Sequence, residues 1–96
     1  MKIQLELKGI LPAIILPLNP NYAIDEPGLR RHVKRVVNVP GITGMGCNAH
    51  ASEVTLLNRE ERKRVLKVVV EEVKGKVPVI AGIYAESTQM ALEFAQ

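Results

Sequence analysis

The sequence predicts an α/β fold with a parallel sheet, laid out as three successive strand and helix units. Three apolar runs near 10–16, 42–48 and 77–83 lack the alternation of a half-exposed sheet, as strands covered on both faces do. Each run is followed by a stretch with helical apolar spacing, near 26–38, 59–74 and 88–96. The connections are short, which requires right-handed parallel crossovers. On these grounds an open doubly wound sheet and a closed barrel both remain compatible with the pattern.

The first run, rich in Ile and Leu, ends at Pro17, and Asn19-Pro20-Asn21-Tyr22-Ala23 supplies turn chemistry. Asp25 is placed to cap a helix whose first turn holds Glu26 and Pro27. In that helix Leu29, Val33, Val36 and Val37 share one face, while Arg30, Arg31, Lys34 and Arg35 take the other. Asn38 and Pro40-Gly41 stop it. The second run is made of small residues, and its glycines predict that another backbone or a ligand comes close. Asn58 followed three positions later by Glu61 is a capping-box pattern, and the helix it opens runs through Val65, Leu66, Val69 and Val73 to Gly75. The third run tolerates Pro78 near its first residue, and Ser87 caps a helix containing Met90, Ala91 and Phe94.

Composition narrows the function classes. The chain of 96 residues is 47% hydrophobic and 24% charged, with a net charge of +3 at pH 7, as in ordinary globular domains. At most one domain fits this length. A parallel barrel needs roughly 250 residues, so any barrel implied here is unfinished within it. The basic residues cluster at 30–35 and 59–67, interleaved with apolar positions, and read as solvated helix faces. With Tyr22, Tyr84 and Phe94 as the only aromatics, no nucleic-acid partner is expected. A single cysteine, Cys47, excludes an internal disulfide and fits a reducing cytoplasm. With His32 and His50 as the only histidines there is no metal-ligand spacing, so neither a metal nor another cofactor is expected. The apolar run 9–18 is too short to span a bilayer and lacks the flanks of a signal segment, so no membrane partner is expected.

Parallel sheets hold ligands at the carboxyl ends of their strands, which directs attention to 18–24, 49–57 and 84–86. Gly44-Met45-Gly46 is not a dinucleotide fingerprint, because it lies inside a strand and no third glycine opens the helix. Cys47, in the same strand, reads as a small apolar residue rather than a nucleophile, and His32 as surface or core-edge structure.

Four ordered blocks, PAIILPL, IDEPGLRRHV, GITGMGCNAHASEVTLLNREERKRVL and VPVIAGI, closely resemble the start of the dihydrodipicolinate synthase and N-acetylneuraminate lyase family. The resemblance runs over nearly all of the chain after Lys8. It implies the N-terminal portion of a parallel (β/α)8 TIM barrel, about three βα units as a partial domain over 1–96. It also implies a homo-oligomer, a tetramer at full length. The family joins or splits carbon–carbon bonds through a Schiff base to a 2-oxo acid, typically pyruvate, so a small-molecule 2-oxo acid is the expected substrate.

The family's loop after the second strand, Gly-Thr-Thr-Gly-Glu or Gly-Ser-Thr-Gly-Glu, aligns on Ala49-His50-Ala51-Ser52-Glu53, and only the glutamate is retained. The alignment implies that Ala49, His50 and Ala51 are substrate-binding, through backbone N–H groups that hold a carboxylate at His50 and Ala51 without needing particular side chains. The family's hydroxyl relay cannot operate there. His50 stands at the relay position, where an imidazole either moves protons or only hydrogen-bonds to backbone. Ala13 falls on the pocket wall and provides room. Glu53 is expected to organise the loop. Tyr84, where family members often carry a small residue, narrows the pocket, stacks on substrate or simply packs.

The family takes its Schiff-base lysine from the sixth strand and a tyrosine from the fifth, and neither strand is in this chain. Lys34, Lys63 and Lys67 belong to helix surfaces and Lys74 and Lys76 to the turn before the third run, whereas a nucleophilic lysine must be desolvated. The functional expectation is therefore a class I aldolase or lyase of this family, present as its N-terminal piece. The alternative is a non-catalytic barrel fragment that self-associates or pairs with the rest of the barrel, since unpaired parallel edges invite pairing. The altered loop argues against ordinary lysine-biosynthetic or sialic-acid-cleaving activity.

Overall fold

Local signals set the helices of this computed structural model, which describes residues 6–96. Helix α1 spans Glu26–Val37, and the Asp25 side chain accepts the Gly28 N–H at 3.0 Å while Pro27 occupies a first-turn position that needs no donor. Helix α2 spans Arg59–Val73 behind a complete capping box: Asn58 Oδ1 accepts from Glu61 N at 2.8 Å and Glu61 Oε1 accepts from Asn58 N at 2.9 Å. Helix α3 spans Thr88–Ala95, capped by Ser87, whose Oγ accepts from Met90 N at 3.2 Å. At the end of α2 both Lys74 (φ 54°) and Gly75 (φ 74°) are left-handed, so the exit is shared between them rather than left to the glycine.

Strand β1 spans Met45–Cys47 and pairs in parallel with strand β2, Val79–Ala81, with Met45 opposite Val79 and Cys47 opposite Ala81. These strands occupy only the middles of the runs 42–48 and 77–83. Pro78 has no N–H to extend β2 at its start, although its carbonyl accepts from Met45 N at 3.0 Å. The first run, expected as a strand near 10–16, is extended backbone that forms only isolated parallel bridges, Ile10 to Ile42 and Ala13 to Gly46. Pro12 cannot donate to the neighbouring segment, and Gly46 lies four positions after Ile42 where Ala13 lies three after Ile10. That one-residue slip interrupts the ladder as a bulge does.

Alternation within this run has a consequence for His32. Ile14 N donates to Gly46 O at 3.0 Å, so Ile15 N–H faces the opposite edge, where it donates to His32 Nε2 of α1 at 3.2 Å. His32 is thus an edge acceptor. Glycine crowding is also uneven. A Cβ on Gly46 would meet the Ala13 backbone at an ordinary 3.8 Å, whereas one on Gly82 would press into the carbonyl of Asn48.

The core lies between the strands and the α1/α2 layer. Ile14, Leu16, Met45 and Cys47 pack with Leu29, Val33 and Val37 of α1 and with Val65, Val68, Val69 and Val73 of α2. Burying each such side chain contributes roughly 1.5–3 kcal/mol before chain entropy is charged against it. Over this core an ion network ties the helices: Arg30 reaches Glu71 at 3.1 Å and Glu72 at 3.0 Å, and Arg64 reaches Glu26 at 3.2 Å. The other sheet face is bare. Ala13, Ile15 and Ile80 point away from the helices and are exposed. No helix among the described residues is long and apolar enough to cross a membrane.

Candidate active site

Because β1 and β2 run parallel, both carboxyl ends, at Cys47 and Ala81, open onto the same end of the sheet. The chain leaves β1 through Asn48 in a left-handed conformation, φ 54°, which any side chain other than glycine, Asn or Asp adopts at a cost. Asn48 is buried, and its Nδ2 donates to Arg62 O at 3.0 Å, while its Oδ1 has no partner. The loop then makes two 3-10 turns, His50–Ser52 and Val54–Leu56, hinged at Glu53 with φ 53°.

Within the loop Ser52 N donates to Ala49 O and Glu53 N to His50 O, both at 3.0 Å, and Val54 N donates to Ala49 O at 3.3 Å. His50 and Ala51 are the first residues of their turn, so their N–H groups have no acceptor inside it. Ser52 anchors the loop: its buried Oγ donates to Ile14 O at 2.6 Å and ties the loop to the first run. The Glu53 carboxylate makes no hydrogen bond or ion pair among the described residues, so Glu53 shapes the loop through its left-handed backbone, not through its side chain.

His50 and Ala51 are exposed at the mouth and Ala49 is half-buried. The structure brings His50 against Tyr84 from the loop after β2, ring centroids 5.7 Å apart and planes at 83°, an edge-on contact. Ala13 lies further down the sheet, bridged to Gly46 on the face away from the helices. Cys47 is 1% exposed, and burial pushes its thiol up to about 11, so it is a neutral apolar side chain at neutral pH. No group of three His, Cys, Asp or Glu side chains that could hold a metal occurs among the described residues.

Arg62 was hidden in the basic run 59–67. It is half-buried and turned inward, donating from Nε to Leu57 O at 3.2 Å and from Nη1 to Tyr84 O at 2.7 Å, with its guanidinium 4.3 Å from the centre of the Phe94 ring. Nothing in a helical Arg between Glu61 and Lys63 separates it from its solvated neighbours. Its partners lie on three other segments. On the other flank a cavity of about 360 Å³ is lined by Leu16, Leu18, Tyr22, Leu56 and Leu57 with the carboxylates Glu53 and Glu61.

The family model described as Dihydrodipicolinate synthetase family matches residues 6–96. The 4-hydroxy-tetrahydrodipicolinate synthase of Methanopyrus kandleri is 40% identical over 91 residues, covering 94% of this chain and 30% of that protein. The N-acetylneuraminate lyase of Citrobacter koseri is 34% identical over 90 residues, with the same 94% and 30% coverage. A solved structure of a catalytic lysine mutant of Ruminococcus gnavus sialic acid aldolase superposes with a TM-score of 0.80 at 30% identity, covering 92% of this chain and 28% of that one. The chain therefore spans about 30% of the length of the relatives it matches.

Proposed function

Since the chain belongs to the dihydrodipicolinate synthetase family, with the fold of the N-terminal part of a parallel (β/α)8 barrel, we propose that it serves a Schiff-base-forming lyase acting on pyruvate or a related 2-oxo acid. In this reading the loop 49–53 is the carboxylate cradle. The N–H groups of His50 and Ala51, which meet no acceptor among the described residues, receive the anion, Ala49 shapes their approach, and Ala13 leaves room on the wall. His50 takes the proton-relay position that a hydroxyl holds in the family pattern. The amine that condenses with the keto carbon, releasing water, comes from outside residues 1–96. Every lysine among the described residues is exposed, whereas an amine that attacks a keto carbon must be desolvated.

The observation that carries this reading is the position of the Ala49–Glu53 backbone, at the carboxyl end of β1 with two donors directed to no acceptor of its own turn. Treating the chain with pyruvate and borohydride should leave its mass unchanged. The same treatment of the chain continued through a complete barrel should add one reduced pyruvate, on a lysine beyond Gln96. An adduct within residues 1–96, or none on the complete barrel, would overturn the proposal.

A second reading is favoured by the bare face that carries Ala13, Ile15 and Ile80. There the chain is a non-catalytic partner that associates with itself or with the remainder of a barrel, covering apolar surface and sheet edges that solvent otherwise touches. Light scattering during size-exclusion chromatography decides it: a monomer that persists on dilution and does not bind the remainder of the barrel would count against this alternative.

A further inference from the structure

Arg62 touches more of the candidate mouth than any residue the sequence pattern singled out. Its guanidinium donates in one plane to two carbonyls, Leu57 O at the end of the loop that carries His50 and Tyr84 O in the loop after β2. The face of the same group lies on Phe94 of α3, and the backbone carbonyl of Arg62 receives Asn48 Nδ2 from the exit of β1. A planar group with fixed donor directions can hold two carbonyls in a set relation, and a flexible ammonium cannot.

We propose that Arg62 is a positioning residue: by bridging Leu57 and Tyr84 it locks the two mouth loops together and thereby sets the edge-on contact between the His50 and Tyr84 rings. The mechanical argument is direct. His50 and Tyr84 belong to loops that leave different strands, and the two rings sit 5.7 Å apart. Without that bridge the first loop would keep its own turns and the Ser52 Oγ bond to Ile14 O, but no side-chain hydrogen bond among the described residues would join it to the loop after β2. Arg62 is rooted in the second turn of α2, whose Val65, Val68 and Val69 are fixed in the core, so the tether is as rigid as the helix that bears it. The role in catalysis rests on the reading of His50 as the proton-moving group, but the geometry it asserts does not.

NMR of the chain without substrate tests the geometry. In the unaltered chain the Arg62 Nε–H should be protected from solvent exchange, and the His50 ring protons should show a nuclear Overhauser contact with the Tyr84 ring and a ring-current shift from it. Arg62→Met should abolish that contact and shift, and Arg62→Lys, which keeps the stem and the charge, should weaken both. Arg30→Ala, which breaks the ion network on the far side of the helices, should leave them unchanged. An Arg62 Nε–H that exchanges like free arginine, a folded Arg62→Met or Arg62→Lys variant with the His50 and Tyr84 contact intact, or equal loss in Arg30→Ala would each overturn the proposal. Because no turnover is measured, failure of the lyase reading would show in the borohydride experiment and leave these signals standing.

Discussion

Replacing Gly82 with alanine perturbs the mouth at its least yielding point. The new Cβ would meet the Asn48 carbonyl oxygen well inside van der Waals contact and lie 2.9 Å from its carbon, and both atoms belong to backbone. That backbone cannot turn aside cheaply, because Asn48 is already left-handed and its side chain is bonded to Arg62 O. Relief must come from β2 moving off β1, which strains the 2.8 Å bond from Gly82 N to Cys47 O. Overpacking of this kind costs about 1–3 kcal/mol, and weakening one backbone hydrogen bond costs about 1 kcal/mol. The smaller conformational freedom of the unfolded alanine chain returns about 0.4–1 kcal/mol. The net expectation is a loss of about 2 kcal/mol, or a fall in Tm of roughly 8–16 °C for a domain of this size.

Gly44→Ala is the matched comparison. There the obstruction is the tip of the half-buried Leu11 side chain, at 2.6 Å, which can swing to another rotamer. Its stability should stay within about 1 kcal/mol of the unaltered chain. Urea unfolding followed by circular dichroism measures both. A Gly82→Ala variant as stable as the parent, or a Gly44→Ala variant that is the worse of the two, would refute the distinction between backbone and side-chain obstruction.

Three further outcomes are expected. Ser52→Ala removes the buried hydrogen bond to Ile14 O and should cost about 1–3 kcal/mol in urea unfolding, with faster amide exchange confined to 49–57; unaltered exchange there would contradict the anchoring role. The Cys47 thiol is raised from 9.0 to about 11 by burial, so the folded chain holds its proton more tightly than the unfolded one. Its contribution is full below pH 9 and is lost as pH rises through that window toward 11. Cys47→Ala should therefore show a shallower alkaline loss of stability than the parent, and parallel curves for the two would dismiss the effect. Glu26 is held below the ordinary carboxylate range, chiefly by its hydrogen bond from Arg64, so its stabilising share is present at neutral pH and disappears as pH falls through the folded value. Glu26→Gln should flatten the acid limb of stability at low salt and change little in about 1 M salt, and an unchanged acid limb at low salt would rule this out.

How far the sequence could be read followed the range of each interaction. The caps at Asp25, Asn58 and Ser87 were legible because a side-chain oxygen and the N–H it receives lie within three residues of each other. The apolar runs were legible as a parallel α/β layer from their lack of alternation, and the four ordered blocks pointed to the family, but the expectation that both faces of the runs are covered fails: α1 and α2 cover one face, and Ala13, Ile15 and Ile80 stand exposed on the other. The slip in the first run was harder to read. Pro12 marked a missing donor, but the register change also depends on how many residues the second run spends between its two bridges.

Sequence alone thus determined the class of the elements and the helix starts, which follow from residue patterns and contacts between near neighbours. Tertiary structure decided that His50 faces Tyr84, that His32 satisfies Ile15 and that Arg62 turns inward to join Leu57, Tyr84 and Phe94. An arginine on an amphipathic helix is written identically whether water or a carbonyl receives its donors. Only the path of the chain in space, closing around the core of α1, α2 and the two strands, determines which of them it meets.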